Sequence, residues 1–489
     1  MGGRPVRGGE PGVDVLDPAT GAVVARAPLA VASEVDAAVD AAAAVQRGWG
    51  ETSLARRAVV LFAFRELVNT NREELAATIS REHGKVLGDA RGEVARGLDA
   101  IEFACGIPHL LRGGATAQAS TGIDLRDVRQ PLGVVAGITP FNFPLMVPMW
   151  MHPLAIAAGN AFILKPSEQD PSVSMRVAEL WRQAGLPDGL FNVLHGDADA
   201  AAALVDHRGV AAVSFVGSTP VARRVHEVGR ITGKRVQALG GAKNHLVVLP
   251  DADLEQAADA AASAAYGSAG QRCMAVSVVV AVGEAATPLV AEIAARARAI
   301  RVGPWTDPEA EMGPVVSAAA RDRIVRAIEG AVVAGADLVV DGRMSAAPAD
   351  GGGFWVGPTL FDRVEPEQAI YAEEIFGPVL VVVRVAGFDA ALELIRANPY
   401  GNGASIFTAD GGAAREFESA VPAGAIGVNV PIPIPVSYHS FGGWKDSMFG
   451  EQGVYGDAGV SFYTRLKVIT SRWPDSARRG VDLGFPASE

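Results

Sequence analysis

The sequence predicts an α/β protein with two domains, each built on a mostly parallel β-sheet. At 489 residues the chain is too long for a single hydrophobic core. Short apolar runs alternate with amphipathic stretches between residues 133 and 239, and a second series begins after residue 251. Because this alternation is typical of βαβ units, each series predicts one domain. A content of 49% hydrophobic and 20% charged residues is typical of a globular chain.

The first half opens with a hairpin and three helical regions. Turn residues among short apolar runs predict the hairpin over residues 8–30. Helical spacing predicts a helix that begins near Ser33, with Asp36 in a capping box, and further helices over residues 53–79 and 93–111. The alternation that follows predicts a Rossmann-type sheet. Its strands are expected over residues 133–138, 161–164, 191–194, 211–216 and 235–239, with helices over 144–158, 173–184, 200–205 and 220–228.

The second series predicts another α/β domain. Its helices are expected over residues 254–266, 286–298, 321–335 and 389–397, and its strands over 276–282, 337–340 and 380–385. The polar tail from residue 480 is expected to be loose.

Charge and composition exclude several classes of protein. A net charge of −12, without a basic cluster that contains aromatic residues, argues against nucleic acid as a partner. The two cysteines cannot form a disulfide framework, and residues 1–13 are Gly-rich rather than a secretory signal, so a cytoplasmic location is expected. Residues 131–164 carry no Asp, Glu, Lys or Arg, but their prolines and polar residues favour buried strand, loop and helix over a membrane span. No membrane contact and no metal site are predicted.

Cys273 is the candidate nucleophile. A small-residue helix ends at Gly267, so Cys273 is expected on the turn or strand that follows. The neighbouring charge of Arg272 favours thiolate over thiol, which a nucleophilic cysteine requires. Taken alone, a cysteine is more often a small buried apolar residue, and Arg272 by itself does not overturn that interpretation.

Two loops that follow predicted strands carry polar candidates. Asn142 lies in an apolar loop, from which its amide could donate to a developing oxyanion, although it could also be a turn residue between prolines. Glu168 follows the next strand, where a carboxylate could accept from ribose hydroxyls and so select NAD over NADP. A solvated pair with Lys165 is the structural alternative.

Two further motifs complete the set. Ser218 lies where a strand passes into a helix, and that helix N-terminus could receive a pyrophosphate, or Ser218 could simply cap the helix. Glu374 and Phe376 could hold a nicotinamide ribose and its ring, or form an acidic turn beside a core phenylalanine.

Taken together and in this order, the motifs resemble the aldehyde dehydrogenase superfamily over nearly the whole chain. The resemblance implies a cysteine that carries a thiohemiacetal, hydride transfer to NAD and a thioester intermediate. It implies that Cys273 is the nucleophile and that Asn142 and the Cys273 backbone N–H form the oxyanion site. Many members have Gly where this chain has Ala222. The positions that match NAD-lining residues are Thr139, Phe141, Lys165, Glu168, Gln169, Ser218, Gly240, Glu374 and Phe376.

A finer resemblance concerns release of the acyl group. Hydrolytic members carry a glutamate that activates water, whereas this chain has Ala238, which cannot act as a base. The segments GGAKNH (240–245), GQRCMA (270–275) and FGGWKDS (441–447) through FYT (462–464) resemble the methylmalonate-semialdehyde dehydrogenase family. The resemblance implies CoA as acyl acceptor. The products would be propionyl-CoA from methylmalonate semialdehyde and acetyl-CoA from malonate semialdehyde, with loss of CO2 or bicarbonate, in valine and myo-inositol catabolism.

The anionic substrate implied by this family requires cations in the pocket. Arg96 and Arg272 match the two arginines that the family uses, and guanidinium suits bidentate binding of a carboxylate. Without the resemblance, a solvated helix face is the favoured interpretation of Arg96.

The resemblance also implies an architecture. The NAD domain is expected over residues 1–118 and 131–243, the catalytic domain over 244–445, and a β flap with the tail over 119–130 and 446–475. The flap is expected to join subunits into a homodimer or homotetramer, because an exposed edge strand needs a partner. Three other functions stay open: a non-acylating aldehyde dehydrogenase, a catalytically inactive member, and a thioester-forming acyltransferase without redox chemistry.

Overall fold

A computed structural model of the protein describes residues 12–343 and 352–473. Most of residues 1–13 and the tail from residue 480 therefore lie outside the described part of the chain. The strands are β1 (Gly12–Leu16), β2 (Val23–Pro28), β3 (Ala115–Ser120), β4 (Ile123–Pro131), β5 (Val134–Ile138), β6 (Ala161–Lys165), β7 (Phe191–Val193), β8 (Val210–Val216), β9 (Arg235–Leu239), β10 (Asn244–Val248), β11 (Val276–Val282), β12 (Asp337–Val340), β13 (Thr359–Asp362), β14 (Val379–Val385), β15 (Tyr400–Gly401), β16 (Gly403–Phe407), β17 (Ala425–Val428), β18 (Trp444–Lys445), β19 (Met448–Phe449) and β20 (Thr464–Ser471). The helices are α1 (Ala32–Glu51), α2 (Leu54–Thr70), α3 (Arg72–His83), α4 (Leu87–Cys105), α5 (Ile107–Leu110), α6 (Met146–Ala157), α7 (Ser172–Gln183), α8 (Ala198–Asp206), α9 (Thr219–Ile231), α10 (Leu254–Tyr266), α11 (Ala286–Ala299), α12 (Ala318–Val333), α13 (Ala369–Ala372), α14 (Phe388–Ala397), α15 (Gly411–Ala420) and α16 (Gly456–Phe462).

The first domain is a six-stranded sheet in the order β19-β9-β8-β5-β6-β7. Strands β5 to β9 run parallel, and only β19 pairs antiparallel, with β9. Every residue of β5, β6 and α6 is buried, as expected where helices cover both faces of a parallel sheet. The uncharged run 131–164 is therefore buried strand, loop and helix, which confirms the sequence interpretation. No helix in the described part of the chain is long and apolar enough to cross a membrane.

The second domain is a seven-stranded sheet in the order β12-β13-β14-β11-β10-β16-β17. Only the edge pair β12–β13 is antiparallel. Alanines of α10 and valines of β11 and β14 fill its core. The α/β class with two parallel sheets is confirmed.

A third sheet is small and antiparallel, with the order β20-β4-β3. It begins at Ala115, before the expected boundary at residue 119. The chain between residues 446 and 463 does not belong to this sheet, because β19 joins the first domain and α16 packs against α6.

Some elements differ from the sequence prediction. The expected helix over 53–79 is two helices that meet at Asn71. Helix α1 is capped by Glu34, whose Oε2 accepts from the Val31 backbone N–H at 3.0 Å, rather than by Ser33 and Asp36. Sequence periodicity also missed β10, β13, β16 and β17, whose runs are short.

Candidate active site

One face of α4 forms a wall of the candidate substrate cavity. Asp89, Glu93 and Arg96 recur at helical spacing and therefore share this face. They line a cavity of about 240 Å³ together with Arg272 and Cys273. The remaining wall is largely apolar, with Phe143, Met146, Met274, Ile432 and Ile434 in the lining. The structure thus brings Arg96 and Arg272, predicted from distant segments, into one cavity with the nucleophile.

The turn before Cys273 is conformationally unusual. Ser268, Ala269 and Gly270 have φ values of 54°, 51° and 68° in succession. Left-handed backbone costs a residue with a Cβ roughly 1–2 kcal/mol, so Ser268 and Ala269 need support from their surroundings. Position 270 requires glycine, since a Cβ there would lie 2.1 Å from the Gly377 carbonyl oxygen. The Ser268 backbone N–H donates to Asp89 Oδ2 at 2.9 Å, which is part of that support.

Two asparagines hold the backbone of the nucleophile. The Cys273 carbonyl oxygen accepts from Asn244 Nδ2 at 2.9 Å and from Asn402 Nδ2 at 3.0 Å. Asn244 opens β10 and Asn402 precedes β16, so neighbouring strands of the second sheet fix this peptide. The bonds constrain the direction of the Cys273 main chain.

The resting thiol of Cys273 is protonated at neutral pH. Burial, followed by the charge of Glu374, raises its pKa to about 12, and Arg272 opposes this rise with a smaller effect. Arg272 thus acts in the direction that the sequence predicts, but its effect on the thiol is smaller than that of burial. The other cysteine, Cys105, is buried in the first core, where burial raises its pKa to about 11.

A buried ion pair fastens the loop that contains Asn142. Lys85 Nζ donates to Glu93 Oε2 at 2.8 Å and to the Asn142 carbonyl oxygen at 2.7 Å. Glu93 Oε1 accepts from the backbone N–H groups of Leu145 and Met146 at 2.8 and 3.0 Å, at the start of α6. Because both charged groups are almost fully buried, they form a rigid support beneath this loop.

The two arginines are held in different ways. Arg272 Nη2 donates to Asp89 Oδ1 at 2.6 Å. Arg96 Nη2 donates to the carbonyl oxygens of Ile434 and Pro435 at 3.3 and 3.0 Å, and its Nη1 lies 3.3 Å from Asp99. Arg96 thus spans from α4 to the opposite wall of the cavity.

The candidate cofactor crevice lies along the carboxyl edge of the first sheet. Thr139 and Phe141 follow β5, Glu168 and Gln169 follow β6, Ser218 follows β8, and Gly240 follows β9. The strand order reverses beside β5, and such switch points are where open α/β sheets bind nucleotides. Ser218 is exposed at the N-terminus of α9, and within the described residues its hydroxyl makes no capping bond.

Polar groups in the crevice fit a nucleotide. Lys165 Nζ lies 3.0 Å from Glu168 Oε2, the pair named above as the structural alternative for this motif. Thr139 Oγ1 and Gln169 Oε1 are buried and find no partner among the described residues. Unpaired buried groups at a strand edge are suited to accept or donate to a bound ligand.

Glu374 and Phe376 close the crevice from the second domain. Glu374 Oε1 accepts from the Ala242 backbone N–H at 2.9 Å, and burial raises the pKa of the carboxyl group. Phe376 packs edge-on against Phe141, with ring centroids 5.8 Å apart. A small second cavity has Cys273, Glu374 and Phe376 in its lining, so Cys273 lies between the crevice and the substrate cavity.

The position of the missing base is filled by apolar packing. Ala238 is fully buried in β9, opposite Phe449 of β19. Its side chain offers nothing that could take a proton from water.

Sequence reasoning assigned no role to five residues that support the site: Lys85, Asp89, Glu93, Asn244 and Asn402. Asp89 and Glu93 could have been found from their helical spacing to Arg96. Lys85 is only eight residues from Glu93 but precedes α4, so helical spacing does not reveal the pair. The two asparagines left no such signal, because the Cys273 carbonyl that they bind is distant in the chain. Among the described residues, no group of three His, Cys, Asp or Glu side chains could hold a metal ion.

Comparisons with known proteins identify the family. Residues 6–469 match the model of the aldehyde dehydrogenase family. The malonate-semialdehyde dehydrogenase of Pseudomonas aeruginosa is 51% identical, and the match covers 97% of this chain and 96% of that protein. A Sinorhizobium meliloti crystal structure with NAD, provisionally assigned as a methylmalonate-semialdehyde dehydrogenase, is 51% identical with a TM-score of 0.96 over 97% of both chains. The methylmalonate-semialdehyde dehydrogenase of Oceanimonas doudoroffii is 48% identical, with a TM-score of 0.96 over 98% of both chains. The chain belongs to the aldehyde dehydrogenase family, and the protein is an oxidoreductase that acts on aldehydes.

Proposed function

We propose that the protein oxidises malonate semialdehyde and methylmalonate semialdehyde with NAD and transfers the acyl group to CoA. The observation that carries the proposal is the shared cavity of Cys273, Arg96 and Arg272. Two guanidinium groups beside a nucleophile suit an aldehyde that also bears a carboxylate. The names of the most similar relatives support the same substrate class.

In the first step, Cys273 Sγ bonds to the aldehyde carbon, and the thiol proton passes to solvent. Asn142 and the Cys273 backbone N–H stabilise the oxyanion in this proposal. NAD, when bound in the crevice, supplies the acceptor for the hydride that leaves the same carbon. Glu374, Phe376 and Glu168 would hold and orient that cofactor. The oxygen electron pair re-forms the carbonyl, which leaves a thioester on Cys273.

The second half-reaction releases the acyl group. The bond between the α-carbon and the carboxylate breaks, CO2 leaves, and the resulting enolate takes a proton from solvent. The CoA thiol then gives up its proton to solvent and attacks the thioester carbon, the bond from that carbon to Cys273 Sγ breaks, and Cys273 leaves as a thiolate. Ala238 supports this order, because without a base at that position water is a weaker competitor than a thiol.

Four further proposals concern the products, the pathways, the location and the assembly of the enzyme. The products would be acetyl-CoA and propionyl-CoA, and the enzyme would serve valine and myo-inositol catabolism. Two free cysteines support a cytoplasmic location. The small antiparallel sheet would join subunits into a dimer or tetramer.

A non-acylating dehydrogenase is the second candidate, and one observation favours it. Glu374 is a buried carboxyl group with a raised pKa, close enough to Cys273 to influence its thiol. A carboxyl group of this kind could activate water in place of a glutamate at position 238.

Product analysis after rapid mixing distinguishes the two candidates. With malonate semialdehyde and NAD alone, we expect a burst of NADH near one per active site, followed by slow turnover that CoA accelerates. Acetyl-CoA and CO2 should accumulate when CoA is present. Full steady turnover without CoA, with free acid as product, would establish the hydrolytic enzyme instead, and Glu374→Gln should then abolish it.

A further inference from the structure

We propose that Asp89 is a positioning residue that aims the Arg272 guanidinium at the substrate carboxylate, with Gly267 providing the space that the guanidinium occupies. This inference rests on the proposed function, since it assumes an aldehyde that carries a carboxylate. It assigns a role to two residues that do not themselves touch the substrate.

Asp89 uses both of its oxygens to connect the two domains. Oδ1 accepts from Arg272 Nη2 at 2.6 Å, and Oδ2 accepts from the Ser268 backbone N–H at 2.9 Å. The side chains of Asp89 and Arg272 are each 22% exposed, so solvent competes little with the pair. One carboxylate therefore fixes the arginine and the left-handed turn before the nucleophile at the same time.

Gly267 is needed for space rather than for backbone freedom. Its φ is −54°, which any residue adopts. A Cβ at this position would lie 2.6, 2.7 and 2.8 Å from Nη1, Cζ and Nη2 of Arg272. The guanidinium thus lies against the bare backbone of Gly267 while Asp89 holds it from α4. A methyl group at position 267 would displace it without changing any charge.

The charges that line the cavity also indicate what Arg272 contributes to binding of the substrate. Lys85 is paired with Glu93, and Arg272 is paired with Asp89. Arg96 is the remaining cation, because its carboxylate partner Asp99 lies outside the cavity lining. The net single positive charge matches one carboxylate, so the contribution of Arg272 is the direction of its N–H groups. Directional contacts require the orientation that Asp89 imposes.

The test compares Asp89→Asn and Gly267→Ala on two aldehydes. In Asp89→Asn, the amide oxygen can still accept from Ser268 while the NH2 group faces the guanidinium. Both variants should lower kcat/KM for malonate semialdehyde about 10-fold or more, the size of a lost charge-assisted bond. The loss should appear mainly in KM. For propanal, which has no carboxylate, kcat/KM should change less than about twofold. Asp259→Asn removes an Asp–Arg ion pair on the surface, with Arg296, and is the matched control.

The possible outcomes distinguish failure of the proposed function from failure of the positioning role. If wild-type enzyme does not prefer malonate semialdehyde over propanal, the proposed function fails and this inference with it. If wild type shows the preference and both variants retain it, the positioning role is overturned while the proposed function stands. An equal loss for both aldehydes in both variants would also overturn it, since that result means that Asp89 and Gly267 only shape the turn. If Asp89→Asn does not fold, Gly267→Ala decides alone.

Discussion

At the scale of the residue, the chemistry of Cys273 is only half visible in the sequence. The sequence identifies Cys273 only through the set of motifs that resembles the aldehyde dehydrogenase superfamily, since the preceding helix and the adjacent arginine also fit a structural cysteine. It does not show that Arg272 is paired with Asp89, a residue 183 positions away. It also does not show how the packing of the two domains encloses Cys273, which is half-buried. Burial, followed by the charge of Glu374 from a distant segment, raises the pKa of the thiol and outweighs the adjacent cation.

The cofactor-free enzyme should therefore react slowly with iodoacetamide at Cys273. With a pKa of about 12, the thiolate fraction grows about tenfold per pH unit, so the alkylation rate should rise without a plateau between about pH 7 and 9. Mass spectrometry of the modified peptide measures this rate. Cys105→Ala should behave like wild type, whereas Cys273→Ala should remove the signal. A plateau below pH 9 would contradict the protonated resting state.

Arg96 should matter for the carboxylate of the substrate and little for the aldehyde. Arg96→Leu should lower kcat/KM for malonate semialdehyde roughly 10- to 100-fold, the effect of losing a charge-assisted hydrogen bond. The kcat/KM for propanal should remain almost unchanged. Steady-state kinetics on both aldehydes measures the difference. A parallel loss would show that Arg96 mainly fastens the segment at Ile434 and Pro435 to α4.

At the scale of the element, α4 combines features that periodicity reveals with others that it hides. Apolar spacing predicts that a helix exists in this region, and the same spacing places Asp89, Glu93 and Arg96 on one face. Periodicity cannot show that Glu93 is buried against Lys85, since a charged residue on a helix usually faces solvent. A short, fully buried run has no alternation to detect, so such strands are predicted unevenly: β5 and β6 were found, whereas β16 was missed.

Glu93→Gln should weaken both the fold and the catalytic loop. The substitution leaves Lys85 buried without a charge partner, and breaking a buried pair costs about 3–5 kcal/mol. We expect a lower urea midpoint, and a lower kcat on malonate semialdehyde and propanal alike, because the Asn142 loop serves both.

Glu102→Gln on the same helix is the matched control. Glu102 pairs with Arg65 at the surface, so its loss should change the midpoint far less. Equal midpoints for the two variants would mean that the Lys85–Glu93 pair contributes little to stability.

At the scale of the whole molecule, the sequence predicts the two sheets but not how they meet. Alternation of strands and helices is local and can be counted, whereas strand order depends on pairings between distant segments. The pairing of β19 with the first sheet could not be predicted, because a strand of two residues carries no periodic signal. The candidate site lies where the two domains meet. The resemblance predicted the residues expected to bind the cofactor, but it did not predict the residues that hold the site together across the domains.

The small antiparallel sheet should control assembly. Leu466 and Val468 of β20 are 56% and 59% exposed, which is unusual for apolar residues on a strand of an isolated sheet. Replacing both with Lys should shift the protein toward monomers in light scattering after size exclusion. Val333→Lys, at an exposed apolar position on α12, should leave the mass unchanged. An unchanged mass for the β20 variant would place the subunit contact elsewhere.

The two hydrogen bonds that Asp89 accepts, from Ser268 and from Arg272, also limit which domains can be combined in a chimeric protein. Asp89 belongs to the first domain, and both of its partners belong to the second. A chimera that takes the two domains from different family members would inherit an arginine and a turn shaped for a different carboxylate. Exchanges within this family should therefore transfer substrate preference only when residues 85–96 and 267–273 are exchanged together, although the 170 residues of segment 97–266 separate them.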